Sequence, residues 1–135
     1  TQADDLTNMQ TGIFGYKGHV HYQTGTPVNA WIDEYASLPK GELFKAIAAR
    51  MDREIHANYK LFPGNYIAAD LLDGKDTFKA YYRTEDLQRF EAYLAKKLAL
   101  IALPDKDETF LRERILTMYA MPLRNHLKAI EQQPE

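Results

Sequence analysis

The sequence predicts a mainly α fold with one short β element. Two apolar stripes recur at the three- and four-residue spacing of a helix face, one from Leu43 to Ile55 and one from Leu87 to Ile101. Proline and glycine lie between and after these stripes and divide the remaining chain into shorter elements. Only the stretch around residue 20 is rich in β-branched and aromatic residues and bounded by glycine. We therefore predict five helices, of which the first and the third are the longest.

Length, charge and hydropathy exclude several classes of protein. The 135 residues suffice for one domain, and the 17 Lys and Arg against 19 Asp and Glu give a net charge of −2, which does not favour a nucleic-acid partner. The longest aliphatic run, Leu98 to Leu103, is far shorter than the roughly 20 apolar residues of a membrane-spanning helix. The absence of cysteine excludes disulfides and thiolate catalysis and suits a reducing compartment.

The first 28 residues read as a connecting segment. Glycine is frequent between Thr1 and Gly18, and no helical periodicity stands out there. The chain starts at Thr1 without an initiator methionine or a leader, and we expect it to be cut from a longer protein. We predict that residues 1–28 are a connector with a strand and that residues 29–135 form a helical domain.

His19 to Thr24 are predicted to form the short strand, with Gly18 and Gly25 closing its ends. A lone strand must satisfy its backbone groups elsewhere. It can pair with residues 11–16 through a hairpin, with a second copy of the chain, or with a sheet outside this sequence. Because unpaired edges recruit partners, we expect self-association through this region unless Ile13 to Tyr16 folds back on it.

The helices are predicted from caps, stripes and breaks. Ser37 is a candidate N-cap for the first helix, which Pro63 ends, and a short second helix fits Asn65 to Leu72. Thr84 is the candidate cap of the third helix, whose first turn is acidic, and Pro104 ends it.

Two further helices complete the predicted fold. Asp107 can cap a fourth helix, and Pro122 is predicted to begin a separate fifth helix, because proline suits the first turn of a helix better than its interior. The last five residues, from Glu131 to Glu135, are expected to fray.

The histidines are the main candidates for chemistry. His19 and His21 would share one strand face and could bind a metal together with Asp33 or Glu34; the alternative is that they are two surface histidines. His56 and His126 have no partner at a fixed spacing and are interpreted as helix-surface residues rather than general bases.

No nucleophile elbow, phosphate loop, dinucleotide fingerprint or zinc-protease motif occurs in the sequence. From the residues alone we predict no catalytic residue, no metal site and no cofactor, and leave any substrate-binding residue unassigned.

Aromatic residues are concentrated between the two strongest stripes. They are Tyr59, Phe62, Tyr66, Phe78, Tyr81 and Tyr82. One interpretation is that they fill the core and rim of a small helical domain; the other is a contact surface for another domain or for a membrane interface. Lys96 and Lys97, next to the apolar run at 98–103, suit either a helix lying on a membrane or an ordinary solvated edge.

Three stretches resemble the carboxy-terminal part of bacterial glycerophospholipid acyltransferases of the lysophosphatidate type: GIFGYKGHVHYQTGTPV at 12–28, MDREIHANYKLFPGNYIAADLL at 51–72 and LTMYAMPLRN at 116–125. The first is similar to the connector and late strand of the family's α/β core, which runs into a Gly-x-Pro turn, here Gly25-Thr26-Pro27. The others resemble a helical extension of one bacterial subgroup. The resemblance implies a five-helix carboxy-terminal domain with a short β element left from the acyltransferase core.

The resemblance also implies an activity and a location. Such an enzyme, acting in phospholipid biosynthesis, transfers a fatty acyl group from acyl-CoA or acyl carrier protein to a lysophosphatidate-like acceptor. It would be cytoplasmic and peripheral on the inner membrane. The freestanding alternative is a helical protein–protein interaction module with no enzyme attached.

The family's catalytic motif, His-x-x-x-x-Asp, is missing from the chain. The fifth positions after His19, His21, His56 and His126 hold, in turn, Thr24, Thr26, Leu61 and Glu131. Only the last is acidic, and it falls in the tail that is expected to fray. The Glu-Gly-x-Arg phosphate-binding block is absent too. No catalytic residue is carried over, so the resemblance implies a non-catalytic fragment.

Overall fold

Five α-helices make up most of the computed structural model, which describes residues 2–15 and 18–131. The helices are α1 (Gln2–Phe14), α2 (Lys40–Ala57), α3 (Pro63–Asp73), α4 (Thr84–Ala99) and α5 (Glu108–Glu131). Short 3₁₀ turns cover Val28–Ala30, Ile32–Tyr35 and Lys79–Tyr81. No strand occurs in the described parts of the chain, and the prediction of a mainly α fold is confirmed.

The core lies where α3 packs against both α4 and α5, while α2 contacts α5 at the side. Alanines on α3 and α5 let the helix backbones approach closely, and larger aliphatic and aromatic side chains fill the space around them. The buried cluster consists of Ile67, Ala68, Ala69, Phe90, Leu94, Leu116, Ala120 and Leu123. The stripe predicted from Leu87 to Ile101 contributes Phe90 and Leu94, so its inward face is the one expected from periodicity.

Helix α5 runs through Pro122 without a break, so the prediction of two helices separated there is wrong. A proline inside a helix cannot donate to the carbonyl four residues earlier and weakens that turn. Here the side-chain amide of Asn65 donates to the carbonyl of Tyr119 at 2.8 Å, which gives the weakened turn an external partner. Leu116 and Leu123, on the two sides of the proline, are both buried in the core. With 24 residues, α5 is therefore longer than the helices predicted to be longest.

Helix α1 departs from the prediction, because its apolar residues are few and are spaced among polar ones and glycine. It covers the stretch that we interpreted as a connecting segment, and Leu6, Met9 and Ile13 recur along one side of it. These side chains are exposed, and within the described residues α1 contacts no other helix.

The predicted strand at His19 to Thr24 does not form. Residues 20–27 run as irregular chain, and no described backbone group bonds to the backbone of residues 18–25. The physical reason is the lack of a partner strand, because Ile13 and Phe14, the expected hairpin partners, are helical. The rest of that hairpin, at residues 16 and 17, lies outside the described residues.

Helix boundaries differ from the predictions by a few residues. Pro39, not Ser37, precedes α2, which ends at Ala57 because Asn58 turns back to the carbonyl of Glu54 with both its backbone and its side chain. Thr84 is the first residue of α4 rather than its cap. Asp107 caps α5 as predicted, since its carboxylate accepts the N–H of Phe110 at 2.9 Å. Of the tail expected to fray, Glu131 is helical and residues 132–135 lie outside the described residues.

Asp70 is the buried carboxylate of the core region. It is 4% exposed and accepts the backbone N–H of Phe78 at 3.0 Å and the hydroxyl of Tyr82 at 2.9 Å. These bonds fold the chain after α3 back onto the helix. Gly74 ends α3 in the left-handed region, with φ +60°, which favours glycine at this turn.

Candidate functional site

The candidate site is a groove between residues 18–28 and the second half of α2. It consists of two adjoining clefts, of about 520 Å³ and 270 Å³, which share Gly25, Glu54 and Ile55 as lining residues. We call the larger cleft the polar end and the smaller one the apolar end. The loop between α2 and α3 closes the polar end with Lys60 and Phe62.

A single carboxylate fastens the irregular segment to α2. The Glu54 side chain accepts the backbone N–H of Thr26, a residue 28 positions earlier in the chain. Hydrogen bonds from the Thr26 backbone and hydroxyl hold the pKa of Glu54 below its usual value, because they favour the ionised carboxylate. A β-carbon at Gly25 would lie 3.0 Å from Oε1 of Glu54, so glycine allows the chain to approach this closely.

The polar end carries nitrogen-bearing side chains above an aromatic wall. The ring of His19 packs against Phe62 with 5.1 Å between centroids, and His21 lines the same cleft. Lys60 is exposed and has no ion-pair partner within the described residues. Glu54 is the one carboxylate among the described residues that line this end. Within the described chain, the polar end therefore offers several hydrogen-bond donors and an ammonium group that no carboxylate neutralises.

The apolar end is built around Trp31, which is 3% exposed. The guanidinium of Arg50 lies 4.4 Å from the centre of its ring and bonds Glu34 at 2.5 Å, so indole, guanidinium and carboxylate form one stack. The Trp31 indole N–H has no hydrogen-bond partner within the described residues. Val28 and Met51 complete this end of the groove.

The histidines and acids considered as metal ligands are only partly brought together. His19 and His21 lie side by side in the polar end, whereas Glu34 pairs with Arg50, and neither Asp33 nor Glu34 lines that cleft. In the described parts of the chain, no three His, Asp or Glu side chains are grouped closely enough to hold a metal ion.

His56 and His126 meet at the contact between α2 and α5. Nδ1 of His126 lies 3.0 Å from the carbonyl oxygen of His56, and both residues are half-buried. The His56 ring also packs against Tyr59, with 5.3 Å between centroids. This arrangement joins two helices.

The aromatic residues that cluster in the sequence divide between two places. Tyr66 stacks on Tyr81 with 4.6 Å between parallel rings, and Phe78 and Tyr82 also pack at the core, which fits the interpretation as core and rim. Tyr59 and Phe62 instead line the groove.

Apolar side chains are exposed at the end of α4, where Leu100 and Leu103 follow Lys96 and Lys97. Among the described residues, no helix combines the length and apolar character needed to cross a bilayer.

Sequence reasoning missed the groove itself. The Gly25-Thr26-Pro27 turn is visible in the sequence, but its partner Glu54 lies on a distant helix and carries no local signal. A weaker hint is that Ile55 continues the apolar stripe of α2 and yet is half exposed, at 51%. No family model, no curated protein and no solved structure matches this chain.

Proposed function

We propose that the chain is the non-catalytic carboxy-terminal part of an acyltransferase of phospholipid biosynthesis. The parent enzyme would transfer a fatty acyl group from acyl-CoA or acyl carrier protein to a lysophosphatidate-like acceptor, as a cytoplasmic protein held peripherally on the inner membrane. In this proposal residues 1–28 are the connector and late strand of an α/β core, and residues 29–135 are the helical domain. The sequence resemblance at 12–28, 51–72 and 116–125 is what suggests this family.

The observation that carries the proposal is the state of residues 18–27. They are exposed and irregular, and within the described residues their backbone groups between 18 and 25 have no backbone partner. Yet Thr26 is fastened to Glu54 on α2. Backbone groups that face water along one side, in a segment held in place at its end, are what a strand would present to a sheet that belongs to the rest of the enzyme.

The geometry of the histidines supports a non-catalytic role. A general base of this family needs a carboxylate to orient its imidazole. Nδ1 of His126 faces the carbonyl of His56, and the His19 ring packs on Phe62. None of the four histidines has a side-chain carboxylate as a hydrogen-bond partner among the described residues.

One observation favours the alternative of a freestanding interaction module. Leu6, Met9 and Ile13 expose more than half of their surface on one side of α1, and this helix contacts no other described element. Such a side suits a protein partner or a second copy. The self-association expected from the unpaired edge at residues 18–25 stays a prediction, which hydrogen exchange at several protein concentrations tests.

Hydrogen exchange also tests whether residues 20–24 form a strand of a larger sheet. In the isolated chain we expect their amides to exchange at the rates of unprotected backbone, since no described backbone acceptor holds them. In the product of the complete open reading frame, we expect protection to rise by about a hundredfold or more, because sheet pairing must open before exchange. The buried helix residue Leu94 provides the internal reference, since its amide should be protected in both proteins.

The outcomes separate the two functions. Protection of residues 20–24 that grows with the concentration of the isolated chain would indicate pairing between copies. Fast exchange of these amides in the complete product would contradict their assignment to the sheet of an enzyme core.

A further inference from the structure

We propose that the groove between residues 18–28 and α2 binds a single-chain anionic amphiphile, a molecule with one aliphatic tail and a carboxylate or phosphate head. The head would lie at the polar end and the tail along the apolar end. This goes beyond the proposed function, which assigns no ligand to the helical domain, and it stands on the groove alone.

The polar end matches a negatively charged head group. Lys60 offers an ammonium group without an ion-pair partner in the described residues, and the imidazoles of His19 and His21 line the same cleft. Charge-assisted hydrogen bonds from such donors to carboxylate or phosphate oxygens are stronger than neutral ones. Glu54 would repel an anion, but its carboxylate already accepts hydrogen bonds from Thr26, and Lys60 lies on the loop beyond the end of α2.

The apolar end matches an aliphatic tail. Ile55 lines both clefts and is half exposed, so it provides a continuous apolar floor from one to the other. Beyond it the lining passes to Met51, Val28 and the buried Trp31. Covering this exposed apolar surface with a tail releases water and gives a favourable free energy in proportion to the area buried.

The size of the groove also fits. The larger cleft alone, about 520 Å³, falls within the range of roughly 300 to 1,000 Å³ of small-molecule sites, and the smaller one extends it past Gly25. Because glycine stands at the junction, no side chain there separates the two clefts. A polar head site joined in this way to an apolar channel selects an amphiphile over inorganic phosphate.

Titration with short-chain lipids tests the proposal on the whole chain. The probes are dodecanoate and dodecyl phosphate, each below its micelle concentration, with neutral dodecanol and inorganic phosphate as comparisons. Trp31, the chain's one tryptophan, lies at the apolar end, so we expect its fluorescence to change saturably with both anionic lipids. Calorimetry should give the same dissociation constants, at least tenfold weaker binding of dodecanol, and no binding of inorganic phosphate.

Two pairs of variants locate the site. Lys60→Gln should weaken both anionic lipids about tenfold and leave dodecanol unchanged, since only the charge is lost. Ile55→Ala should weaken all three lipids by a similar factor, through lost apolar contact. The controls are Lys75→Gln and Leu100→Ala, two exposed residues outside the groove, which should bind like the parent chain. A preference for only one of the two anionic heads would identify the source of the ligand.

Other outcomes would overturn the proposal. They are equal affinity for dodecanol and the anionic lipids, an unchanged affinity in Lys60→Gln, or the absence of saturable binding below the micelle concentration. An affinity that falls as the protein concentration rises would show that a second copy occupies the groove instead. Far-ultraviolet circular dichroism of each variant confirms that the helices are retained, so a loss of binding is not mistaken for unfolding.

Discussion

Replacing Leu94 with alanine should lower the free energy of unfolding by about 3 kcal/mol. Leu94 has no exposed surface and lies in the cluster where α4 packs against α3. Truncation removes buried methyl groups and leaves a cavity that the surrounding helices can only partly fill. Urea denaturation followed by circular dichroism measures the change.

The matched control is Leu100→Ala, at the end of α4. Leu100 is 68% exposed, so its truncation should change stability by no more than about 0.5 kcal/mol. Equal effects of the two substitutions would contradict the packing of α4 against α3.

Replacing Asp70 with alanine should cost a comparable amount, about 3 kcal/mol, for a different reason. The substitution leaves the N–H of Phe78 and the hydroxyl of Tyr82 without their acceptor in a part-buried region. Asp70→Asn keeps one acceptor oxygen and should lose less. An unfolding free energy that is the same in all three proteins would show that this carboxylate does not hold the turn after α3.

The pKa of Tyr82 gives a local measure of the same interaction. Burial, followed by the hydrogen bond and charge of Asp70, raises the pKa of Tyr82 from 10.0 to about 12. The folded state therefore holds the phenolic proton more tightly than the unfolded state does. This contribution to stability is complete below pH 10 and is lost as the pH rises towards 12. In Asp70→Ala the tyrosinate absorbance should appear at lower pH, and Tyr82→Phe should remove that component.

The helices with strong periodicity are the ones the sequence predicted well. In α4 the apolar spacing, the acidic first turn and the following proline agree, and the inward residues are Phe90 and Leu94. In α5 the local signal is misleading, because a proline usually ends or begins a helix. Burial on both sides of Pro122, together with the bond from Asn65, outweighs that preference, and neither contribution is visible locally.

The groove could not be predicted from local pattern, because its two walls are far apart in the chain. The contact between Thr26 and Glu54 and the stack of Arg50 on Trp31 are both long-range. Residues 19–24 have the composition of a strand, yet composition cannot supply the partner that a strand requires. His19 and His21 are recognisable as a pair, but their neighbours are Phe62 and Lys60 rather than the acids considered as co-ligands.

Acyl transfer is the most direct test of the proposal that this chain is a non-catalytic part of an acyltransferase. The measurement is transfer from labelled acyl-CoA or acyl carrier protein to lysophosphatidate, by the product of the complete open reading frame and by this chain alone. We predict turnover by the complete product, which should carry a His-x-x-x-x-Asp motif before Thr1, and none by the chain alone. Turnover by the chain alone that is lost in His56→Ala or His126→Ala, or a complete product that transfers no acyl group, would contradict the proposal.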